Sequence, residues 1–175
     1  MSDTTTESLP AGVQRVTEAL AAQGHPHAPL MLDDAARTAQ QAADALGVAL
    51  GQIAKSIIFR RKNHPSGDDA AVLVITSGDL RVDEKKVQAI VCAEGGKLGR
   101  ADADFVKEKT GFTIGGVSPV AHASLPVTLI DRELFRFDVI WAAAGHPHGV
   151  FRLTPDDLVR LTGAPVHDVA VILAN

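Results

Sequence analysis

Hydrophobic residues recur along the chain with two different periods, and the switches between them predict the elements. Val13, Val16 and Leu20 fall on one face of a helix over residues 8–23. GHPHAP interrupts that helix, and LMLD is short enough for a strand. DDAARTAQQAADALG returns to helical spacing, with Asp33 or Asp34 available as its N-cap and Gly47 as its stop. From about residue 54 to 62 the chain turns β-branched and aromatic (SIIFR), which predicts a strand. RKNHPSGDD breaks it with Pro and Gly, and AAVLVIT (70–76) predicts a second strand, antiparallel to the first.

The same two periods continue. VDEKKVQAIVCAE is amphipathic, with Val82, Val87, Ile90 and Val91 on its apolar side, and ADADFVKEKTG is a further helix closed by Gly111. FTIGGVSPV reads as a Gly/Pro loop. PVTLID, FDVIWAAA (137–144) and VFRL read as strands, the last two joined by a turn at GHPHG. TPDDLVRLTG is a helix with Thr154 as its cap and Pro155 in its first turn, and APVHDVAVI follows. Strands and helices mix without regular β-α alternation. The expected fold is therefore α+β: a single domain with a mixed, largely antiparallel, barrel-like sheet surrounded by helices. Residues 1–7 are expected as a disordered tail and 8–175 as one domain, with no linker and no fold-scale repeat.

Composition narrows the function. The 175 residues are 46% hydrophobic, which suits a globular core. Seventeen basic residues against 21 acidic give a net charge of −4, which disfavours coating nucleic acid by charge alone yet permits gripping one end of an RNA. DNA is not expected as a partner. The one cysteine, Cys92, excludes an internal disulfide and a multi-cysteine zinc site, and a reducing cytoplasm fits. The polar, acidic start MSDTTTESLP predicts no signal peptide, and the longest apolar runs, VIWAAA and VAVILA, are too short to span a bilayer.

Two stretches carry candidate chemistry. In GQIAKSIIF, alternate side chains share a face, so Lys55 points the same way as Ile57 and Phe59. Such a lysine either snorkels out at the strand end or faces a pocket and acts there. In TGFTIGGVSPV, Gly115 and Gly116 let backbone N–H groups approach a ligand, and Pro119 stiffens the loop; amides so placed hold a carbonyl oxygen as it gains charge, although an ordinary turn has the same composition. GHPH occurs twice, at 24–27 and 145–148, but His-x-His without HExxH or a cysteine pair is a poor match to metal-ligand spacing, and no metal is expected. Cys92 sits among apolar neighbours as a structural thiol. No G-x-S-x-G, P-loop or G-x-G-x-x-G appears.

Taken in order, TAQQAADALGVALGQIAKSIIFR, AVLVITSGDLRVDEKKV, LGRADADFVKEKTGFTIGGVSPVAH, LPVTLID and FDVIWAAAGHPHGVFRLTPDDL resemble the YbaK/prolyl-tRNA synthetase-associated domain family over about residues 25–172. The resemblance implies a trans-editing aminoacyl-tRNA deacylase that needs no cofactor. Its partners would be the CCA end of a mischarged tRNA, chiefly that for proline, and prolyl-tRNA synthetase. Lys55 matches the family's functional lysine, and GGVSP, Gly115 to Pro119, matches its G-x-x-x-P loop. Gly145 matches a pocket glycine, with His146 next to it either binding substrate, ordering a water, or lying solvated in a turn. The implied catalytic set is Lys55, Gly115 and Gly116; the implied substrate contacts are Ser56, Ser118, Pro119, Gly145 and His146. Ala143 and Val150 stand where the branch that clears cysteine carries a serine and an acidic residue, which points instead to a small apolar amino acid such as alanine. The competing class is an RNA-binding module or a synthetase partner without catalysis, using a basic rim of RRK (60–62), Lys85, Lys86, Lys97 and Arg100.

Overall fold

The computed structural model describes residues 9–33 and 36–171. The expected tail at 1–7 and the candidate cap Asp34 lie outside the described residues.

Among the described residues there are ten strands and five helices: α1 (Ala11–Ala22), β1 (Leu30–Met31), α2 (Ala39–Leu46), β2 (Ile53–Lys62), β3 (Ala70–Ser77), β4 (Arg81–Val82), α3 (Glu84–Val91), β5 (Lys97–Arg100), α4 (Ala103–Thr110), β6 (Val127–Asp131), β7 (Ile140–Ala143), β8 (Gly149–Leu153), α5 (Pro155–Thr162), β9 (Val166–His167) and β10 (Ala170–Val171). The helices and six of the strands fall in the predicted order, and β4, β5, β9 and β10 are additional. An eight-stranded sheet runs β1-β8-β7-β2-β3-β6-β9, with β5 on β2; β4 and β10 form a separate pair. The β1–β8, β2–β3, β2–β5 and β7–β8 pairs are antiparallel, and β2–β7, β3–β6 and β6–β9 are parallel. The fold is thus the mixed, largely antiparallel single-domain sheet with helices around it.

AAVLVIT is an unbroken apolar run because β3 is covered on both faces. Ala71, Leu73 and Ile75 point into the larger core with Val16 and Leu20 of α1, Phe105 and Val106 of α4 and Leu158 and Leu161 of α5. Val72 and Val74 point into the smaller one, with Phe59, Val87 and Val91. Each fully buried aliphatic side chain contributes about 1.5–3 kcal/mol relative to exposure.

Most helix ends fall where capping chemistry puts them. Thr154 and Asp157 make a reciprocal capping box, with Pro155 in the first turn and Gly163 left-handed at the end. The start of α2 differs from expectation. Thr38, not Asp33, is the N-cap: its hydroxyl accepts the Gln41 N–H at 3.1 Å and Gln41 Oε1 accepts the Thr38 N–H at 3.1 Å. A complete capping box outcompetes an isolated aspartate upstream, so residues 36–38 run into the helix as irregular chain.

Candidate active site

The site forms where β2 lacks a neighbour. β3 pairs with one edge of β2 from Ala54 to Arg61. On the other edge β7 pairs only with Ile53 and Ala54, and β5 joins only from Phe59 onward. Residues 55–58 are left with an open edge, to which alternate residues turn their N–H and C=O groups. A cavity of about 310 Å³ occupies that gap, and Ile53, Ala54, Lys55, Ser56 and Ile57 line it in unbroken succession. Lys55 and Ser56 point to opposite faces of the sheet, yet both reach the cavity because it lies along the strand's edge.

The remaining walls come from three segments. Ala36, Arg37 and Thr38, with Ala39 and Ala42 of α2, form one; Ile114, Gly115 and Val117 form the second; Trp141, Ala143, Pro147, Gly149 and Val150 form the third. Ala143 and Val150 are opposite one another in the β7–β8 pair, so the two positions at which the sequence departs from the cysteine-clearing pattern meet in one apolar patch. A smaller chamber of about 130 Å³ adjoins, sharing Ser56, Ile57, Ile114, Gly115 and Val117. The buried Ser56 hydroxyl has no hydrogen-bond partner among the described residues, so it is available to a ligand on this side.

Lys55 is half-buried and makes no ion pair among the described residues. Burial lowers its pKa from the ordinary lysine value, the Asp79 carboxylate opposes that, and Arg81 adds to the lowering. Asp79 is itself engaged by Arg136 at 2.9 Å, which blunts its pull on the lysine. Lys55 therefore offers a poorly neutralised, partly desolvated cation to a phosphate or a polarised carbonyl.

The glycine loop is shaped by its backbone. The Gly116 N–H donates to the Thr113 carbonyl at 3.0 Å, closing a turn in which Gly115 takes φ +91°. That is the position a type II turn reserves for glycine. A side chain at Gly115 would project into open space, and its N–H has no partner among the described residues. The expectation that both amides are free thus needs correction: Gly116's is spent within the turn, and Gly115's remains available.

Of the other expected contacts, Gly116, Ser118, Pro119, Gly145 and His146 do not line the cavity. A Cβ on Gly116 would come within 2.8 Å of the His146 backbone, so the loop rests directly on the GHPH turn. Ser118 is fully buried, its Oγ accepting the Val120 N–H at 3.2 Å. Gly145 has φ +89°, and a Cβ there would meet the Gly12 carbonyl of α1 at 2.5 Å. The His146 ring packs against His148 at 5.3 Å, and His25 lies 5.8 Å from His27; no group of three or more metal-ligating side chains forms among the described residues.

Sequence reasoning missed Arg37, the α2 alanines, Trp141 and Pro147. The signal for the alanines was the small-residue pair Ala39 and Ala42, three apart and so on one helix face. It also missed His122, which pins the loop from behind. Its Nε2 stands 2.6 Å from the Ser118 carbonyl, and because a carbonyl only accepts, Nε2 carries the proton. Burial lowers the His122 pKa from its ordinary 6.5; the bond to Ser118 opposes this and Arg15 adds to it. The unfolded chain therefore binds a proton that the native state refuses, so this contribution to stability is present above about pH 6.5 and is lost as pH falls through the lowered folded value. Calorimetry on His122→Gln is expected to show a flatter fall of Tm on acidification from about pH 7 than wild type shows; an unchanged slope would refute the assignment.

A family model for the aminoacyl-tRNA editing domain matches residues 33–161. The chain is 34% identical over 129 residues to the uncharacterized protein YwhH of Bacillus subtilis (strain 168), covering 74% of this chain and 77% of that protein. It is 26% identical over 98 residues to the proline–tRNA ligase of Thermoanaerobacter sp. (strain X514), which is 56% of this chain but only 16% of the ligase. A crystal structure provisionally assigned as a trans-editing enzyme for prolyl-tRNA synthetase superposes with a TM-score of 0.84 at 38% identity, over 94% of this chain and all of that one. No helix among the described residues is long and apolar enough to cross a membrane.

Proposed function

The chain belongs to the aminoacyl-tRNA editing domain family, and on that premise we propose that it is a cytoplasmic trans-editing deacylase that hydrolyses the ester of tRNA-Pro mischarged with a small amino acid such as alanine. The observation that carries this reading is the cavity at the open edge of β2. It joins the Lys55 and Arg37 side chains and the Gly115 amide to a largely apolar wall, with no serine, cysteine or histidine triad among the described residues.

An aminoacyl ester is already activated, so positioning and electrostatics suffice. Lys55 holds the terminal phosphate or ribose of the CCA end or the ester carbonyl, and the Gly115 N–H faces the oxygen that gains charge. A water oxygen adds to the carbonyl carbon, its proton relayed by the neighbouring ribose hydroxyl. The bond from carbonyl carbon to ribose oxygen then breaks, that oxygen takes a proton, and the amino acid leaves as its carboxylate. Ser56 binds on the side of the smaller chamber, while Gly116, Ser118, Pro119, Gly145 and His146 act on substrate through the shape they give the loop and turn.

Ala39, Ala42, Ala143 and Val150 leave room for a small side chain and offer it no charge. The test is deacylation of tRNA-Pro carrying alanine, cysteine, serine, threonine or 2-aminobutyrate. Turnover of alanine or 2-aminobutyrate esters above the others is expected, whereas RNA binding without turnover of any ester would replace the enzyme by a binding module. Ala42→Leu adds three carbons to the wall. It is expected to lower kcat/KM for the 2-aminobutyryl ester by about tenfold more than for the alanyl ester, since a methylene discriminates by about 1–3 kcal/mol. An equal loss for both would place the amino acid elsewhere.

A further inference from the structure

Helix α1 lies before the segment that matches the editing-domain model, yet it touches both loops of the site. Gly12 packs against Gly145 of the GHPH turn, and one turn later Arg15 reaches the glycine loop. The half-buried Arg15 side chain donates from Nη2 to the Thr110 carbonyl at 2.9 Å and from Nε to the Ala121 carbonyl at 3.0 Å, with a further contact from Nη2 to Ala121. Its guanidinium lies 4.5 Å from the centre of the Phe112 ring and fills the space that a side chain on Gly111 would need.

Those two carbonyls mark the two ends of the loop over residues 111–121. Ala121 takes φ +67°, a left-handed conformation that costs a residue with a Cβ about 1–2 kcal/mol. The strain is held in place by the fork that grips its carbonyl. Ala123 and Ser124 close the loop's base by donating to Thr110 and Lys109. The tip, by contrast, is exposed at Ile114 and Gly115, with Gly116 set against the His146 turn.

We infer that Arg15 is a positioning residue for the reaction: its planar fork ties Thr110 to Ala121 and thereby fixes where the Gly115 N–H faces the cavity. This rests on the editing reading for its catalytic half, while its structural half stands alone. A lysine cannot substitute, because a single ammonium does not reproduce the two-pronged, stacked geometry.

The experiment compares Arg15→Ala and Arg15→Lys with Val87→Ala, which destabilises the second core on the far face of the sheet without touching the loop. Amide hydrogen exchange over residues 111–121, Tm, and kcat and KM for alanyl-tRNA-Pro are measured on each. Arg15→Ala is expected to speed exchange of the loop amides by about tenfold or more. It should lower kcat by about 10–100-fold with KM little changed, the signature of a misplaced transition-state contact. Arg15→Lys should recover only part of either effect, and Val87→Ala should lower Tm while leaving loop exchange and kcat near wild type. Loop exchange unchanged in Arg15→Ala, or a kcat loss matched by Val87→Ala, overturns the inference. If the wild type hydrolyses no ester, the proposed function fails, and the exchange comparison still decides the staple.

Discussion

Lys55→Ala is expected to lower deacylation of alanyl-tRNA-Pro by about 100-fold or more, since removing one preorganised group that meets developing charge typically costs 10²–10³ in rate. Tm should stay close to wild type. The lysine is half-buried with no ion pair among the described residues, and burial already disfavours its charged form, so the fold loses no partner when it goes. Arg is an informative second substitution. It keeps the charge but brings a wider, planar head into a cavity of about 310 Å³, and partial recovery would separate charge from fit. A Lys55→Ala protein with wild-type turnover would remove the lysine from the mechanism.

Gly145→Ala is expected to act through stability. The residue has φ +89°, and its new Cβ would sit 2.5 Å from the Gly12 carbonyl and 2.9 Å from the Phe112 ring. A left-handed alanine costs about 1–2 kcal/mol and overpacking a further 1–3, together about 2–5 kcal/mol. At this chain length that lowers Tm by about 5–15 °C. Gly12→Ala should produce a similar loss from the other side of the same crossing, because its Cβ would meet the Gly145 carbonyl. Both are read by thermal unfolding beside the deacylation assay. A Gly145→Ala protein with unchanged Tm and abolished turnover would show that this glycine meets substrate after all.

The contrast between these two residues marks what the sequence could disclose. Elements with strong local chemistry were legible: the TPDD cap, the glycine stops at Gly47 and Gly111, and the two-sided apolar run of β3. β4, β5 and β9 were not, because two to four residues such as KLGR carry no period and exist only through partners distant in the chain. The site was half legible. Lys55 does share a face with Ile57 and Phe59, but a face does not make a pocket; the cavity exists because two other strands leave β2 at different residues, a property of pairing register. Likewise glycine composition flagged 115–116 and 145. Only the backbone distances show that Gly115 faces the cavity, Gly116 supports the loop, and Gly145 lets α1 come close.

Trp141 is the chain's one tryptophan, in a protein without tyrosine, and it sits in the cavity wall opposite Ile53 in the parallel β2–β7 pair. The molecule thus carries its own optical probe at the position where occupancy and strand pairing coincide. Emission excited near 295 nm would report ligand entry in the native state and, during refolding, the moment at which two strands far apart in the chain meet. Since that long-range pairing builds the cavity, return of the fluorescence and return of turnover should share one rate constant.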